Sequence, residues 1–459
     1  MKPTQVTFCT GVGTVTGANF LLETPGGTRI LIDCGMVQGE KVAQDENNEP
    51  FPYDLSSIKA LFITHAHLDH VGRIPKLVKD GYNGPIYSTP ETQALAELVL
   101  NDAVGILDME ARREGVLPLY DAADVARVFP LWKTIQYHEN FKLTDDVSIY
   151  LKDAGHILGS SMIEVTVRDV DGKEIKILFT GDLGNSPAPL LRDTEPVGDV
   201  DYLVMESVYG DRNHESREQR SGLFQKVIND TISRGGTLVI PTFSIDRTQV
   251  LLFELNNLVE QKKVSSVPVF VDSPMAIEAT RIYAGSENLF NDAVRNQIAH
   301  GDDIFKFPHL QYTISQIQSR QIDRVNGAKI VLAGSGMSVG GRVLGHEEQD
   351  LPDPKNTILL VGYQSAGSIG RQLADGATTV HMHDRKIKVR AHIETIYGYS
   401  AHKDGDHLVE FVATATARLK QVFTVMGEPG ASMHLTQRIN DELDGHSVVP
   451  TRGKIYELK

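Results

Sequence analysis

"FITHAHLDHVGRIPKL", residues 62–77, crowds three histidines and an aspartate into six positions at the end of an apolar run. His65 and His67 are two residues apart just past a predicted strand, and extended backbone puts both imidazoles on one face. Asp69 and His70 then open a predicted helix. Imidazole and carboxylate together suit Zn²⁺ or a similar divalent ion. The spacing differs from H-E-x-x-H, in which one helix presents two histidines a turn apart. Four donors in six residues exceed what one tetrahedral ion takes from a single loop, so two ions are expected. The alternative is a polar surface loop.

Two further donors end strands in the same manner, His156 in "DAGHILGSS" and Asp182 in "LFTGDLGN". Glycines flank both and permit the tight backbone that a convergent site requires. Asp182 has two carboxylate oxygens and can bridge two ions. Asp33, in "RILIDCG", is expected to orient the histidine loop through hydrogen bonds.

Outward from this loop, the chain of 459 residues is too long for one ordinary core. The first 70 residues read as short strands joined by Gly-rich turns. Helical periodicity follows in "HVGRIPKLVKDG" and over 89–115. Strands return at "VSIYLKDAGH", "MIEVTVRDV" and "IKILFTGDLGN", and "DVDGK" between the last two predicts a hairpin. From about 216 to 385, apolar strands such as "GGTLVIPTF", "VPVFVDSP", "AKIVLAGSG" and "NTILLVGYQ" alternate with longer helices. That alternation predicts a mainly parallel sheet. Short strands and one helix, "DGDHLVEFVATATA", are expected from 386 to 459. The expected division is an outer domain from residues 1–208 and 386–459, with an α/β domain inserted at 209–385.

Net charge is -15, which argues against nucleic-acid binding through bulk positive charge. It leaves room for an enzyme whose bound metals and local cations meet a phosphate. Two cysteines cannot build a disulfide framework, so a reducing, cytoplasmic setting is expected. No apolar run reaches membrane-spanning length, and the first residues lack a signal-peptide pattern.

Several stretches together resemble a known family. "LIDCG", "THAHLDHVGRIP", "AGHILGSS" and "FTGDLGN" resemble the metallo-β-lactamase superfamily. "VMESVYGDRNH", "IPTFSIDRTQ", "VFVDSPMAI", "GSGMSVGGR", "GYQSAGSIGR" and "GYSAHKD" are similar to its β-CASP branch. That branch includes the nuclease subunit of the cleavage and polyadenylation machinery and bacterial RNA-processing relatives. The resemblance implies an αββα sandwich with an inserted β-CASP domain. It places His65, His67, His156 and Asp182 at a first metal site, and Asp69, His70 and the shared Asp182 at a second. Glu206 in "MESVYG" and His402 in "YSAHKD" match two further motifs. RNA-cleaving members usually read "VHGE" where this chain has "VMGE", with Met426 replacing a metal-binding histidine. A thioether is a poor ligand beside hard oxygens, so one tight Zn²⁺ and a weaker second are expected, with Mn²⁺ as an alternative ion. Nothing in the spacing of His434 suggests that it substitutes. No RNA-binding extension of the kind carried by archaeal members is expected at the N-terminus.

The expected chemistry is hydrolysis of an RNA phosphodiester by metal-activated hydroxide. Asp69 would help hold the water, and His402, oriented by Glu206, would protonate the leaving oxygen. Ser335 and Gly336 in "GSGMSVGG", together with Arg247, Arg342 and Arg371, are the candidate phosphate contacts. Tyr209, Phe243 and Tyr363 are candidate base-stacking residues, the alternative being core. Single-stranded RNA is the expected substrate and a homodimer the expected assembly, with no membrane partner. Met426 keeps a DNA nuclease and a catalytically weakened RNA-binding protein as alternatives. Thioester or lactam hydrolysis would leave the inserted domain's motifs unexplained.

Overall fold

The computed structural model describes residues 2–38, 41–168, 172–215, 217–362, 364–365 and 367–459, with 41–44, 217 and 218 as backbone alone. The chain forms two compact units. One comprises Met1–Asn213 and His402–Lys459, and the other His214–Ala401.

The first unit is built on two seven-stranded sheets. One runs in the order Ile455–Leu458, Thr4–Thr10, Asn19–Glu23, Arg29–Ile32, Ile58–Phe62, Ile86–Ser88 and Trp132–Thr134. The other begins with Ser447–Val448 and Gln421–Val425 and continues through Tyr202–Glu206, Glu174–Phe179, Ser161–Arg168, Val147–Asp153 and Phe141–Lys142. Alternation within the strands makes the sandwich. Val6 and Phe8, then Phe20 and Leu22, face Ile149, Val165, Ile177 and Phe423 of the opposite sheet in one core. A second core lies on the other face of the second sheet. There Leu203, Met205 and Val422 pack on Leu408, Val412, Leu435 and Ile439 from two helices. This is the αββα arrangement.

Local signals set the boundaries. Thr89 caps the helix Pro90–Glu114 by accepting from Thr92 N, with Pro90 at the first position, and Gly115 ends it in the left-handed region. Arg168 pairs with Glu174 across an antiparallel register, as a hairpin requires, while its turn residues 169–171 lie outside the described residues. The C-terminal stretch holds two helices, Gly405–Ala413 and Pro429–Leu443, where the sequence predicted one. The second carries few apolar residues, but Ala431, Leu435 and Ile439 lie on one buried face, which suffices.

The inserted unit holds a six-stranded sheet in the order Leu310–Tyr312, Val269–Asp272, Lys329–Ala333, Thr237–Pro241, Thr357–Val361 and His392–Ile396. Every neighbouring pair in it is parallel. Its four inner strands are buried along their length, as strands covered on both faces are.

Candidate metal centre

The donors stand where strands of the first unit end. His65 and His67 follow the strand Ile58–Phe62, and Asp69 and His70 lie in the short helix Leu68–Val71. His156 follows Val147–Asp153, Asp182 follows Glu174–Phe179, and Glu206 ends Tyr202–Glu206. The last two strands are parallel neighbours, so they deliver Asp182 and Glu206 to the same edge.

The histidine loop is pinned from behind by Asp33. Its carboxylate accepts from Thr64 N and Thr64 Oγ1, both at 2.8 Å, and lies 2.7 Å from His70 Nδ1. Gly35 allows backbone to approach, since a Cβ there would sit 1.5 Å from Asp69 O. Gly181, at φ 55, likewise lies where a Cβ would meet Thr64 at 2.6 Å. Thr64 was not singled out in the sequence, although it directly precedes the loop. It also lies 3.1 Å from His65 Nδ1, so one hydroxyl joins Asp33 to the first histidine.

One donor atom each from His65, His67, His156 and Asp182 lie within 4.8 Å of one another. His67 Nδ1 is 3.1 Å from His65 Nε2 and 3.2 Å from His156 Nε2. A tetrahedral ion with bonds of roughly 2.0–2.1 Å has ligand–ligand edges of about 3.3 Å, so this set fits a four-coordinate metal ion. Asp69, His70 and Asp182 form a second group. Asp182 faces both, with Oδ2 3.4 Å from His65 Nε2 and Oδ1 3.3 Å from His70 Nε2. His70 Nε2 and Asp182 Oδ1 are buried and outside hydrogen-bond geometry with any partner. Two such atoms facing each other fit a cation between them.

The protonation states suit this. Burial, then neighbouring imidazoles, push His67 and His156 well below the usual histidine range. Burial pushes Asp182 upward, yet His70 and His65 hold its carboxyl well below the usual carboxylate range. Ligands must be deprotonated to bind metal, and all three shifts run in that direction. Burial lowers His70, but Asp182, Asp33 and Asp69 outweigh it and hold the imidazole well above its usual value. Burial raises Asp69.

Beside these groups lies a buried pair. His402 Nδ1 is 3.1 Å and 3.2 Å from the two oxygens of Glu206, and 3.9 Å from Asp182. Glu206 is fully buried and also accepts from Leu183 N at 2.5 Å. Burial lowers His402, but the Glu206 carboxylate, with Asp182 and Asp69, carries it up to about 9. Its ring lies 4.7 Å from that of His156 and 6.0 Å from that of Tyr209.

Met426 is turned away from these donors. It is 2% exposed, belongs to the core between the sheets, and its Sδ lies 2.8 Å from where a Cβ on Gly11 would stand. His434 is exposed on the helix Pro429–Leu443. Among the described residues His434 belongs to no donor group.

The candidate phosphate contacts lie in the inserted unit. Arg342 donates to Asp272 at 2.7 Å, Thr313 O at 3.0 Å and Ile314 O at 2.7 Å, so its guanidinium ties loops together. Arg371 is half-exposed and pairs with Asp375. Arg247 is buried at the start of the helix Arg247–Glu260. Ser335 N donates to Gly340 O, and Ser335 Oγ accepts from Val339 N. Gly336 packs on the ring of Phe243, which is 42% exposed and so not core. Tyr209, in the first unit, is buried. Tyr363 lies outside the described residues.

Known proteins share this organisation. Residues 21–182 match the metallo-beta-lactamase superfamily domain, 248–373 the Beta-Casp domain, and 386–450 the Zn-dependent metallo-hydrolase RNA specificity domain. Ribonuclease TTHA0252 of Thermus thermophilus is 34% identical over 87% of this chain and 88% of its own length. The transcription termination factor FttA of Methanosarcina mazei is 32% identical over 96% of this chain and 69% of its own. A protein of unknown function from Enterococcus faecalis V583 shares the fold with a TM-score of 0.56 at 14% identity, covering 99% of this chain and all of that one. With a donor set that fits a metal cofactor, and relatives alike along most of their length, the chain belongs to the β-CASP branch of the metallo-β-lactamase superfamily.

Proposed function

We propose that the protein is a metal-dependent ribonuclease that hydrolyses phosphodiester bonds of single-stranded RNA. The observation that carries this is Asp182, whose two oxygens each face a separate donor group while His402 stands 3.9 Å away. The matched RNA specificity domain and the ribonuclease relative support RNA as the substrate.

His65, His67, His156 and Asp182 would hold one zinc ion, and Asp69, His70 and Asp182 a second, weaker one, since Met426 offers no hard donor. When bound, such ions supply Lewis acidity toward phosphate oxygens and acidify water toward neutral pH. The chain's own residues do the rest. Asp33 fixes the His70 ring through Nδ1 and leaves Nε2 turned to Asp182. Glu206 holds His402 through Nδ1 and keeps it protonated at neutral pH. His402 then gives a proton to the leaving sugar oxygen as general acid. Asp69 orients the attacking water. Met426 favours one second reading, a DNA nuclease of the same architecture, because the replaced histidine is a feature of RNA-cleaving members.

Matched 5′-labelled RNA and DNA oligonucleotides, incubated with Zn²⁺ or Mn²⁺, test this. RNA should be cut and DNA spared, with no cutting by a His65→Ala control. Cleavage of DNA alone would favour the second reading, and cleavage undiminished in the control would overturn both.

A further inference from the structure

The first unit contains a second concave feature, on the face of the first sheet turned away from the sandwich core. In the strand Thr4–Thr10, Val6 and Phe8 enter that core, so Gln5, Thr7 and Cys9 line the opposite face. Asn19, Leu21 and Glu23 do the same from the next strand. With the segment 46–54 they line a half-open cavity of about 700 Å³. Small-molecule pockets span roughly 300–1,000 Å³, so this one has the volume for a ligand larger than a bare ion.

Three arginines line it, and they differ in what they hold. Arg29 Nε pairs with Glu23 at 2.6 Å. Arg452 pairs with Glu46 and donates to Cys9 O at 3.0 Å. Among the described residues Arg73 has no carboxylate within ion-pair distance. It is 4% exposed, donates from Nη2 to Glu49 O at 3.1 Å and lies 4.5 Å over the Phe51 ring. Among the described residues its Nε is buried with no hydrogen-bond partner. A guanidinium has five N–H donors and cannot shed its charge, and burying it unpaired is costly. The cation–π contact offsets only part of that cost. Of the remaining acids, Asp54 accepts from Ser56 N and Oγ, and the Glu49 side chain is exposed. Burial pushes the Cys9 thiol up to about 12, so the cavity offers no nucleophile. Four carboxylates and three guanidiniums line it, and Arg73 is the guanidinium without an ion pair among the described residues.

We propose that this cavity binds a small organic molecule through an oxyanion, carboxylate or phosphate, seated on Arg73. A planar fork matches both groups. The site is apart from the metal donors, although Arg73 N donates to Cys34 O and Cys34 N to His70 O, so it lies one backbone layer behind the histidine loop.

Calorimetric titration of the metal-loaded protein with inorganic phosphate, citrate and adenosine monophosphate tests the proposal independently of RNA cleavage. At least one should bind with a dissociation constant on the order of 0.1–1 mM. Preference for citrate would assign a carboxylate, and preference for either phosphate compound would assign a phosphate. Arg73→Lys, which keeps the charge and loses the fork, and Thr7→Phe, which fills the cavity from the strand, should each weaken binding at least about tenfold, with metal content unchanged. Absence of binding by all three ligands, or equal affinity in the wild type and both variants, would overturn it.

Discussion

Asp33 in the first unit and Asp272 in the inserted unit are both fully buried at the end of a strand, and each holds a histidine, at 2.7 Å and 2.8 Å. Asp33 takes Thr64 and His70, and leaves His70 Nε2 facing Asp182 Oδ1 at 3.3 Å. Asp272 takes Thr313, Ser319, Arg342 and His346, and the other nitrogen of His346 lies 3.8 Å from Asp323. The same carboxylate–histidine pair therefore supports a metal donor in one place and ties loops together in the other. What separates them is what the histidine's other nitrogen faces, a group of possible metal donors for His70 and Asp323 for His346. Glu206 and His402 form a third such pair, with Asp182 3.9 Å from Nδ1 and the His402 side chain 23% exposed.

The largest effect that would break this comparison lies at that third pair. His402→Ala should lower the rate of RNA cleavage by roughly 10²–10⁴-fold while leaving bound zinc unchanged, whereas His346→Ala should leave the rate of the folded enzyme intact. Equal losses in both would show that standing beside the donor group carries no functional meaning.

Next in size is Asp272→Ala, expected to cost about 3–5 kcal/mol in denaturant unfolding, because Arg342 and His346 lose their buried counter-charge. Burial pushes Asp272 up, but His346, Ser319, Thr313 and Arg342 hold its carboxyl far below the usual range. A depressed carboxylate stabilises the fold above its unfolded pKa, about 3.9, and that stability is lost as pH falls below it. The wild type should therefore lose stability more steeply than the variant in acid, and identical acid limbs would contradict the assignment.

Asp33→Ala should weaken metal binding by about 10–100-fold in a competitive chelator titration. Undiminished affinity would remove it from the metal's support. Met426→His should give the smallest change, a stronger second ion by the same titration, because turning the side chain out of the core leaves a void beside Gly11. A weaker second ion would place residue 426 outside that site.

Much of the first unit was legible because its signals are local. The alternation of His65 and His67 past an apolar strand, the "DVDGK" turn and the capped helix beginning at Pro90 each depend on a few adjacent residues. Glu206 and His402 are 196 positions apart and carried no local sign, so only the family resemblance pointed to them. Arg342 looked like a phosphate contact because it follows a glycine-rich loop. Its engagement with Asp272, 70 residues earlier, is long-range. Exposure was equally opaque, since Tyr209 and Phe243 sit in similar loops yet one is buried and the other is 42% exposed.

The convergence of donors on Asp182 is tested most directly by anomalous scattering at the zinc edge from crystals soaked in zinc. The strongest peak should lie among His65, His67, His156 and Asp182, with a weaker one toward Asp69 and His70. Ordered side chains with no peak among them would contradict the account.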